Sequence, residues 1–227
     1  LLSTDTDAIA RFNREAANAS RLNHPNICAT YDYGETPDGH VFLAMEYVDG
    51  RSLTSLIESL GRIPPDRTAS IIHQAAEALQ VAHDAGIVHR DLKPDNIMLG
   101  QRRDGSDFVK VVDFGISRAF EGESQRVTRT GFIVGTPQYM SPEQGLGEKL
   151  DGRSDIFSLA LVACNCLTGT SPFGGQTPQE TIVARLTDPP RTLAQMQPGV
   201  SWPSEVQRVL DNALARDANA RYQTAAE

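Results

Sequence analysis

The segment "HRDLKPDNIML" at residues 89–99 places an acid, a cation and a carboxamide within six residues, at Asp91, Lys93 and Asn96. A second acid, Asp113, follows in "VDFG". A carboxylate can orient an attacking hydroxyl group, and a cation can neutralise charge on a phosphoryl group during its transfer. Mg²⁺ prefers oxygen ligands and often takes one or two from the protein. The order and spacing therefore favour phosphoryl transfer, with Asp91 and Lys93 acting on the reactants and a metal ion on Asn96 and Asp113.

Bulk composition places these residues in an ordinary globular chain. A length of 227 residues is enough for one large domain or two lobes. The residues are 40% hydrophobic and 22% charged, as in ordinary globular proteins, and the formal net charge is −8. The acidic balance argues against general nucleic-acid binding. Three cysteines do not make a disulfide framework, so we expect a reducing, cytoplasmic environment. Cys164 and Cys166 lie in "IFSLALVACNCL", which is too short to span a bilayer and predicts a buried helix.

Periodicity and turn signals predict an α+β chain in two parts. Residues 1–47 should hold a helix and an antiparallel hairpin around "TPDGH", and residues 48–227 should be mostly helical with two short strands. The joint between them is "EYVDG". The expected helices cover residues 7–22, 52–61, 64–86, several segments from residue 151 onward, and "RYQTAAE" at the end; the expected strands are "CATYDYGE", "VFLAMEYV", "IMLG" and "FVKVVDF".

Several further motifs stand in the order found in one enzyme family. "FNREAANASRLNHPNI", "AMEYVDG", "GTPQYMSPEQ", "DGRSDIFSLA" and "NARYQTAAE" flank the two central motifs on both sides. With them the chain resembles the protein kinase superfamily, and within it the eukaryotic-like serine/threonine kinases of bacteria. The resemblance implies a two-lobed fold with a truncated, β-rich N-lobe containing helix C (1–47) and a mostly helical C-lobe (48–227). The C-lobe would carry a catalytic loop at 87–99 and an activation segment at 113–143.

The resemblance also implies roles for residues outside the central motifs. Glu15 would be the ion-pair glutamate of helix C, and Arg90 would bind a phosphorylated activation segment. His89 is expected to organise the loop around Phe114, whereas the other four histidines are expected to be structural. The remaining assignments are Met45 (gatekeeper), Glu46 and Val48 (adenine-binding backbone), Met98 and Val112 (nucleotide pocket), Thr128 and Thr130 (phosphorylation sites), Thr136 (acceptor choice), Asp155 (support of the catalytic loop), and Glu143 with Arg221 (a structural ion pair).

The implied activity is transfer of the ATP γ-phosphate to serine and threonine hydroxyls of proteins, including autophosphorylation. Lys93 and Thr136 favour serine and threonine over tyrosine, and His-Arg-Asp in place of His-Gly-Asp favours a protein acceptor. The implied cofactors are ATP and Mg²⁺, with Mn²⁺ as a substitute. The implied partners are protein substrates and a second copy of the chain, with no nucleic acid and no membrane segment in these residues.

The sequence departs from the family pattern at its beginning. It contains no glycine-rich phosphate loop, and its only lysines are Lys93, Lys110 and Lys149, none placed to pair with Glu15. We therefore expect a piece of a longer chain, and expect residues 1–227 alone to be inactive. A pseudokinase acting as a binding scaffold is the alternative, although a scaffold has no chemical need for the two acids, the lysine and the asparagine of the central motifs.

Overall fold

The computed structural model describes residues 6–114, 137–175 and 177–227. Within these residues, five strands form two sheets, one of β1–β2 and one in the order β3–β4–β5. The strands are β1 (Thr30–Glu35), β2 (Val41–Met45), β3 (Arg51–Ser52), β4 (Ile97–Gln101) and β5 (Asp107–Val111). The helices are α1 (Thr6–Ala19), α2 (Leu53–Leu60), α3 (Pro65–Asp84), α4 (Pro142–Leu146), α5 (Gly152–Thr168), α6 (Pro178–Thr187), α7 (Leu193–Met196) and α8 (Ser204–Ala213).

The N-terminal part consists of α1 and the β1–β2 hairpin, as the sequence predicts. The strands pair antiparallel, with Tyr33 opposite Leu43, around the turn that contains Pro-Asp-Gly. Phe12 and Ala16 of α1 are buried at helical spacing. The helix ends three residues before the predicted residue 22, because the chain turns tightly at that point, with the Leu22 N–H donating to the Ala19 carbonyl at 3.1 Å.

The segment after α1 joins the N-terminal part to the β3–β4–β5 sheet. Ile27 forms a parallel bridge with Val111 of β5. The Val111 N–H donates to the Asn26 carbonyl at 2.8 Å, and the Cys28 N–H donates to the Val111 carbonyl at 2.9 Å. The residues that follow helix α1 are thereby fixed against the strand that leads into Asp113.

Strand β3 is an element that the sequence pattern does not predict. It contains only Arg51 and Ser52, which pair with Leu99 and Met98 of β4. Two residues are too few to show the alternation that identifies a strand. Ser52 also caps α2, because its side chain accepts a hydrogen bond from the Ser55 N–H.

Helices α3 and α5 form the centre of the C-terminal part. Ile71, Ala75 and Leu79 of α3 are fully buried at helical spacing. Helix α5 is buried on nearly every side, as predicted for "IFSLALVACNCL", and the side chains of Cys164 and Cys166 are buried in the hydrophobic core around it. Burial, followed for Cys164 by the neighbouring Cys166, raises the pKa of both thiols to about 12. They are packing residues.

In the described part of the chain, no helix has the length and apolar character that crossing a bilayer requires.

The prediction of a final helix in "RYQTAAE" is wrong. Residues 221–227 form bends and a turn after a short 3₁₀ helix at Ala218–Ala220. Arg221 has extended backbone (φ −84°, ψ 173°). This backbone is incompatible with a helix, and the side chain bonds to the Ala215 carbonyl and to Glu143. The division into lobes at residue 47 stays a prediction.

Candidate active site

The residues of the first central motif meet in a loop that ends in β4. Lys93 Nζ lies 2.8 Å from Asp91 Oδ2, and Asn96 Nδ2 lies 3.3 Å from the same oxygen. Asn96 Nδ2 also donates to the Asp91 carbonyl at 2.8 Å, which closes the loop on itself. A short 3₁₀ helix at Pro94–Asn96 sets this geometry, since proline at its first position fits the required backbone. The carboxylate of Asp91 is therefore oriented by two neighbouring side chains and remains about one-third exposed.

Asp155, at the start of α5, supports the backbone of this loop. Its carboxylate is 1% exposed and accepts hydrogen bonds from the His89 N–H at 2.8 Å and the Arg90 N–H at 2.9 Å. A third bond joins Asp155 Oδ2 to His83 Nε2 at 2.7 Å. Burying a carboxylate without hydrogen-bond partners would be costly, and these three bonds supply them. The role that the resemblance implies for Asp155 has a direct geometric basis here.

His89 connects the loop to the second central motif. Its Nε2 lies 3.0 Å from the Val112 carbonyl oxygen, and its ring lies 4.8 Å from the ring of Phe114. The Val112 N–H donates to the Asn96 carbonyl at 3.0 Å. Asp113 has a φ of +62°, a conformation that non-glycine residues rarely adopt. These contacts place the Val112 backbone, one residue before Asp113, beside that of Asn96.

The two expected metal ligands suit a hard divalent cation. The amide nitrogen of Asn96 bonds to Asp91, so its oxygen is oriented away from those bonds and can accept a metal ion. Asp113 supplies a carboxylate on the adjacent strand end. Two oxygen donors completed by phosphate oxygens match what Mg²⁺ requires.

The expected hinge begins at the end of β2. Met45 lines a small cavity of about 10 Å³ with six other residues: Ala19, Ile27, Cys28, Thr30, Asp113 and Phe114. The Glu46 N–H donates to the Ala29 carbonyl at 2.8 Å, and the Cys28 thiol donates to the Glu46 carbonyl at 3.3 Å. Burial, followed by the negative charge of Glu46, raises the pKa of that thiol, so Cys28 stays a neutral donor.

Lys110 of β5 forms an ion pair with Glu46. The Nζ–Oε2 distance is 2.6 Å, and Nζ also donates to the Ile27 carbonyl at 3.2 Å. Although burial opposes ionisation of Glu46, the hydrogen bonds from Lys110 and from the Ala29 N–H lower its pKa below the ordinary value. The pair fixes the expected hinge to the β3–β4–β5 sheet.

The remaining residues expected at the nucleotide lie on separate segments of the fold. Val48 and Met98 are half-buried, and the backbone groups of Val48 bond to no other described backbone group. Val112 is also half-buried. Glu15 is half-buried on α1, and its ion pair within the described residues is with the adjacent Arg14, at 3.6 Å.

Glu143 and Arg221 form a buried bidentate ion pair. The guanidinium nitrogens lie 2.7 and 2.9 Å from the two carboxylate oxygens, and Ser154 donates to Glu143 at 2.6 Å. Burial disfavours the charge on Glu143, but the bonds from Arg221 and Ser154 outweigh it and lower the pKa of Glu143. This pair anchors the start of α4 to the end of the described chain.

The backbone carbonyls of residues 137–140 are bound by side chains from two helices. Arg185 of α6 donates to the carbonyls of Pro137, Gln138 and Met140, the last at 2.8 Å. Ser158 donates to the fourth carbonyl, that of Tyr139, at 2.8 Å. Burial lowers the pKa of Arg185 to about 10, so it remains charged at neutral pH. These bonds fix the end of the expected activation segment.

Thr128, Thr130 and Thr136 lie outside the described residues, so their expected roles stay predictions. Sequence reasoning expected a structural role for His83 without identifying Asp155 as its partner, and it missed Lys110, Arg185 and Gln144, whose amide donates to the Arg90 carbonyl. His83 lies on the last turn of α3, which by itself does not indicate Asp155 as its partner. For the others no sequence spacing indicates the partner.

Comparison with known proteins identifies the family of the chain. The model of the family described as "Protein kinase domain" matches residues 2–227. "Serine/threonine-protein kinase PknB" of Mycolicibacterium smegmatis is 43% identical over 229 residues, which cover 100% of this chain and 36% of that protein. "Serine/threonine-protein kinase pkn3" of Myxococcus xanthus is 40% identical over 218 residues, covering 95% and 40%. The chain therefore spans less than half the length of either relative.

Two solved structures show the same fold over nearly the whole chain. The kinase domain of Mycobacterium tuberculosis PknI gives a TM-score of 0.72 at 29% identity and covers 98% of this chain and 77% of that one. Rad53 residues 1–466 in complex with AMP-PNP gives 0.77 at 28% identity and covers 95% and 52%. The two-lobed α+β fold expected from the sequence is confirmed, and the chain belongs to the protein kinase domain family.

Proposed function

We propose that the protein containing this domain is an ATP-dependent serine/threonine protein kinase that transfers the γ-phosphate to protein hydroxyl groups, including its own. The observation that carries the proposal is the orientation of the Asp91 carboxylate by Lys93 and Asn96, at 2.8 and 3.3 Å. A scaffold that only binds a partner has no need for this arrangement. The names of the bacterial relatives support the same activity.

Each residue has a distinct part in the proposed reaction. Asp91 accepts a hydrogen bond from the acceptor hydroxyl and directs its oxygen toward the phosphoryl group. Lys93, whose Nζ lies 2.8 Å from Asp91 Oδ2, neutralises charge on the phosphoryl group. Asn96 and Asp113 would hold Mg²⁺, which when bound would supply charge neutralisation to the phosphate groups. Backbone groups of Glu46 and Val48 bind adenine.

Autophosphorylation at Thr128 and Thr130 is part of the proposal. Arg90 Nε is buried and has no hydrogen-bond partner among the described residues. A phosphate group on the activation segment would satisfy this donor through a charge-assisted bond. Protein substrates and a second copy of the chain are the proposed partners.

The test is phosphate transfer from labelled ATP by the full-length protein and its Asp91→Asn variant. We expect the variant to fold normally and to lose activity by a factor on the order of 10²–10⁴, because the hydroxyl loses its proton acceptor. Asp104→Asn is the matched control, since Asp104 is an exposed turn residue between β4 and β5. A variant at position 91 with activity close to that of the control would contradict the proposal and favour the scaffold alternative.

A further inference from the structure

The peptide that precedes Asp91 has an unusual conformation. Arg90 has a φ of +68°, in the left-handed region that L-residues other than asparagine and aspartate seldom occupy. Such a conformation persists only when surrounding groups stabilise it. The hydrogen-bond partners of Arg90 therefore decide whether Asp91 keeps its orientation.

Two side chains bind the backbone of Arg90 from opposite ends. Its N–H donates to Asp155 Oδ1 at 2.9 Å, and its carbonyl accepts a hydrogen bond from Gln144 Nε2 at 2.5 Å. Asp155 lies on α5, and Gln144 lies on α4, directly after the "SPE" that ends the activation segment. The resemblance to kinases assigns a role to Asp155 but none to Gln144.

The local structure orients the side chain of Gln144. It is the third residue of α4 and belongs to a capping box, in which its Oε1 accepts from the Ser141 N–H at 2.9 Å and its own N–H donates to Ser141 Oγ at 3.4 Å. Because Oε1 is used in the cap, the amide NH₂ points at Arg90. One half of the amide stabilises the helix start, and the other half binds the catalytic loop.

We propose that Gln144 is a positioning residue that stabilises the left-handed conformation of Arg90 and thereby orients Asp91 for phosphoryl transfer. The proposal rests on the function proposed above. It also gives the end of the activation segment a direct contact with the catalytic loop, through one side chain. Without the Nε2 donor, the Arg90 carbonyl would lose its protein partner and the loop would sample other conformations.

The substitution Gln144→Glu removes the NH₂ group that binds Arg90 but keeps a side-chain oxygen for the cap. Glutamate at the third helical position keeps the capping box and favours the helix N-terminus, but it cannot donate to the Arg90 carbonyl when ionised. Gln195→Glu is the matched control. Gln195 occupies the same position in the capping box of α7, is exposed, and its side-chain nitrogen donates to no other described residue. Ser141→Ala is the structural control, because it weakens the α4 cap but keeps the Gln144 donor.

The role of Gln144 is tested by steady-state phosphorylation kinetics of the full-length protein and by its thermal melting. For Gln144→Glu we expect kcat to fall about 10- to 100-fold, as small misplacements of catalytic groups do. We expect its KM for ATP and for the acceptor, and its melting temperature, to stay close to wild type. Ser141→Ala should show the reverse pattern, with a lower melting temperature and nearly unchanged kcat. Gln195→Glu should change neither.

A kcat for Gln144→Glu within about threefold of wild type would overturn this inference alone, as would a loss no larger than that of Ser141→Ala at a temperature where both are folded. A wild-type protein no faster than Asp91→Asn would overturn the proposed function as well.

Discussion

Removing the guanidinium of Arg221 tests how strongly the Glu143–Arg221 pair stabilises the fold. The Arg221 side chain is fully buried and donates five hydrogen bonds: two to Glu143 and three to the carbonyls of Ala215, Arg153 and Arg216. It also stacks over Phe157, with 4.8 Å from its central carbon to the ring centroid. Arg221→Met would keep much of the apolar volume but leave the Glu143 carboxylate without its cation.

Breaking one partner of a buried ion pair costs about 3–5 kcal/mol. For a domain of this size each kcal/mol lowers Tm by about 2–4 °C, so we expect a decrease of roughly 6–20 °C. Arg153→Met is the control. Arg153 forms an ion pair with Asp151 at the protein surface, with 2.7 Å between a guanidinium nitrogen and a carboxylate oxygen. Surface ion pairs contribute about 0–1 kcal/mol to stability. Urea unfolding followed by the emission of Trp202, the only tryptophan of the sequence, gives both free energies of unfolding.

The loss of stability in Arg221→Met should also depend on pH in a defined direction. The pKa of Glu143 is lowered in the folded protein from an ordinary value of 4.5. Its contribution is therefore fully present above that ordinary value and is lost as pH falls through the lowered, folded value. The difference in unfolding free energy between wild type and Arg221→Met should shrink on acidification. An Arg221→Met variant no less stable than Arg153→Met at neutral pH would refute the reasoning.

Three further outcomes follow from the proposed function. Asp113→Ala should weaken binding of Mg·ATP, because the metal loses its carboxylate ligand, and an unchanged affinity by titration would contradict the assignment. After incubation with ATP, mass spectrometry should find phosphate on Thr128 and Thr130, and changing both to alanine should lower activity because Arg90 loses its anionic partner. Phosphate found only elsewhere would exclude these sites. Residues 1–227 assayed alone should transfer little phosphate, since this sequence has no glycine-rich loop to position the γ-phosphate; turnover equal to that of the full-length protein would show this to be wrong.

The sequence by itself predicts the elements whose signals are local. The hairpin around Pro-Asp-Gly and the buried helix α5 follow from turn chemistry and from an apolar run, and both form as predicted. The grouping of Asp91, Lys93 and Asn96 is also local, because six residues of loop ending in a proline-initiated 3₁₀ turn cannot separate them far. Local patterns do not predict an element that is very short, such as β3. They also do not predict the extended backbone at Arg221, whose side chain bonds to Glu143, 78 positions away.

The contacts that orient these local motifs depend on the tertiary structure. Asp155 lies 66 positions from His89, and Gln144 lies 54 positions from Arg90. Family resemblance indicates the first pair, but no periodicity or spacing indicates the second or the Lys110–Glu46 pair, 64 positions apart. Periodicity determines which face of a helix or strand is buried, whereas the packing of separate elements decides which side chains meet. The sequence thus identifies the groups that would carry out phosphoryl transfer, and only the packing of α4, α5 and β5 against the loop decides how those groups are oriented.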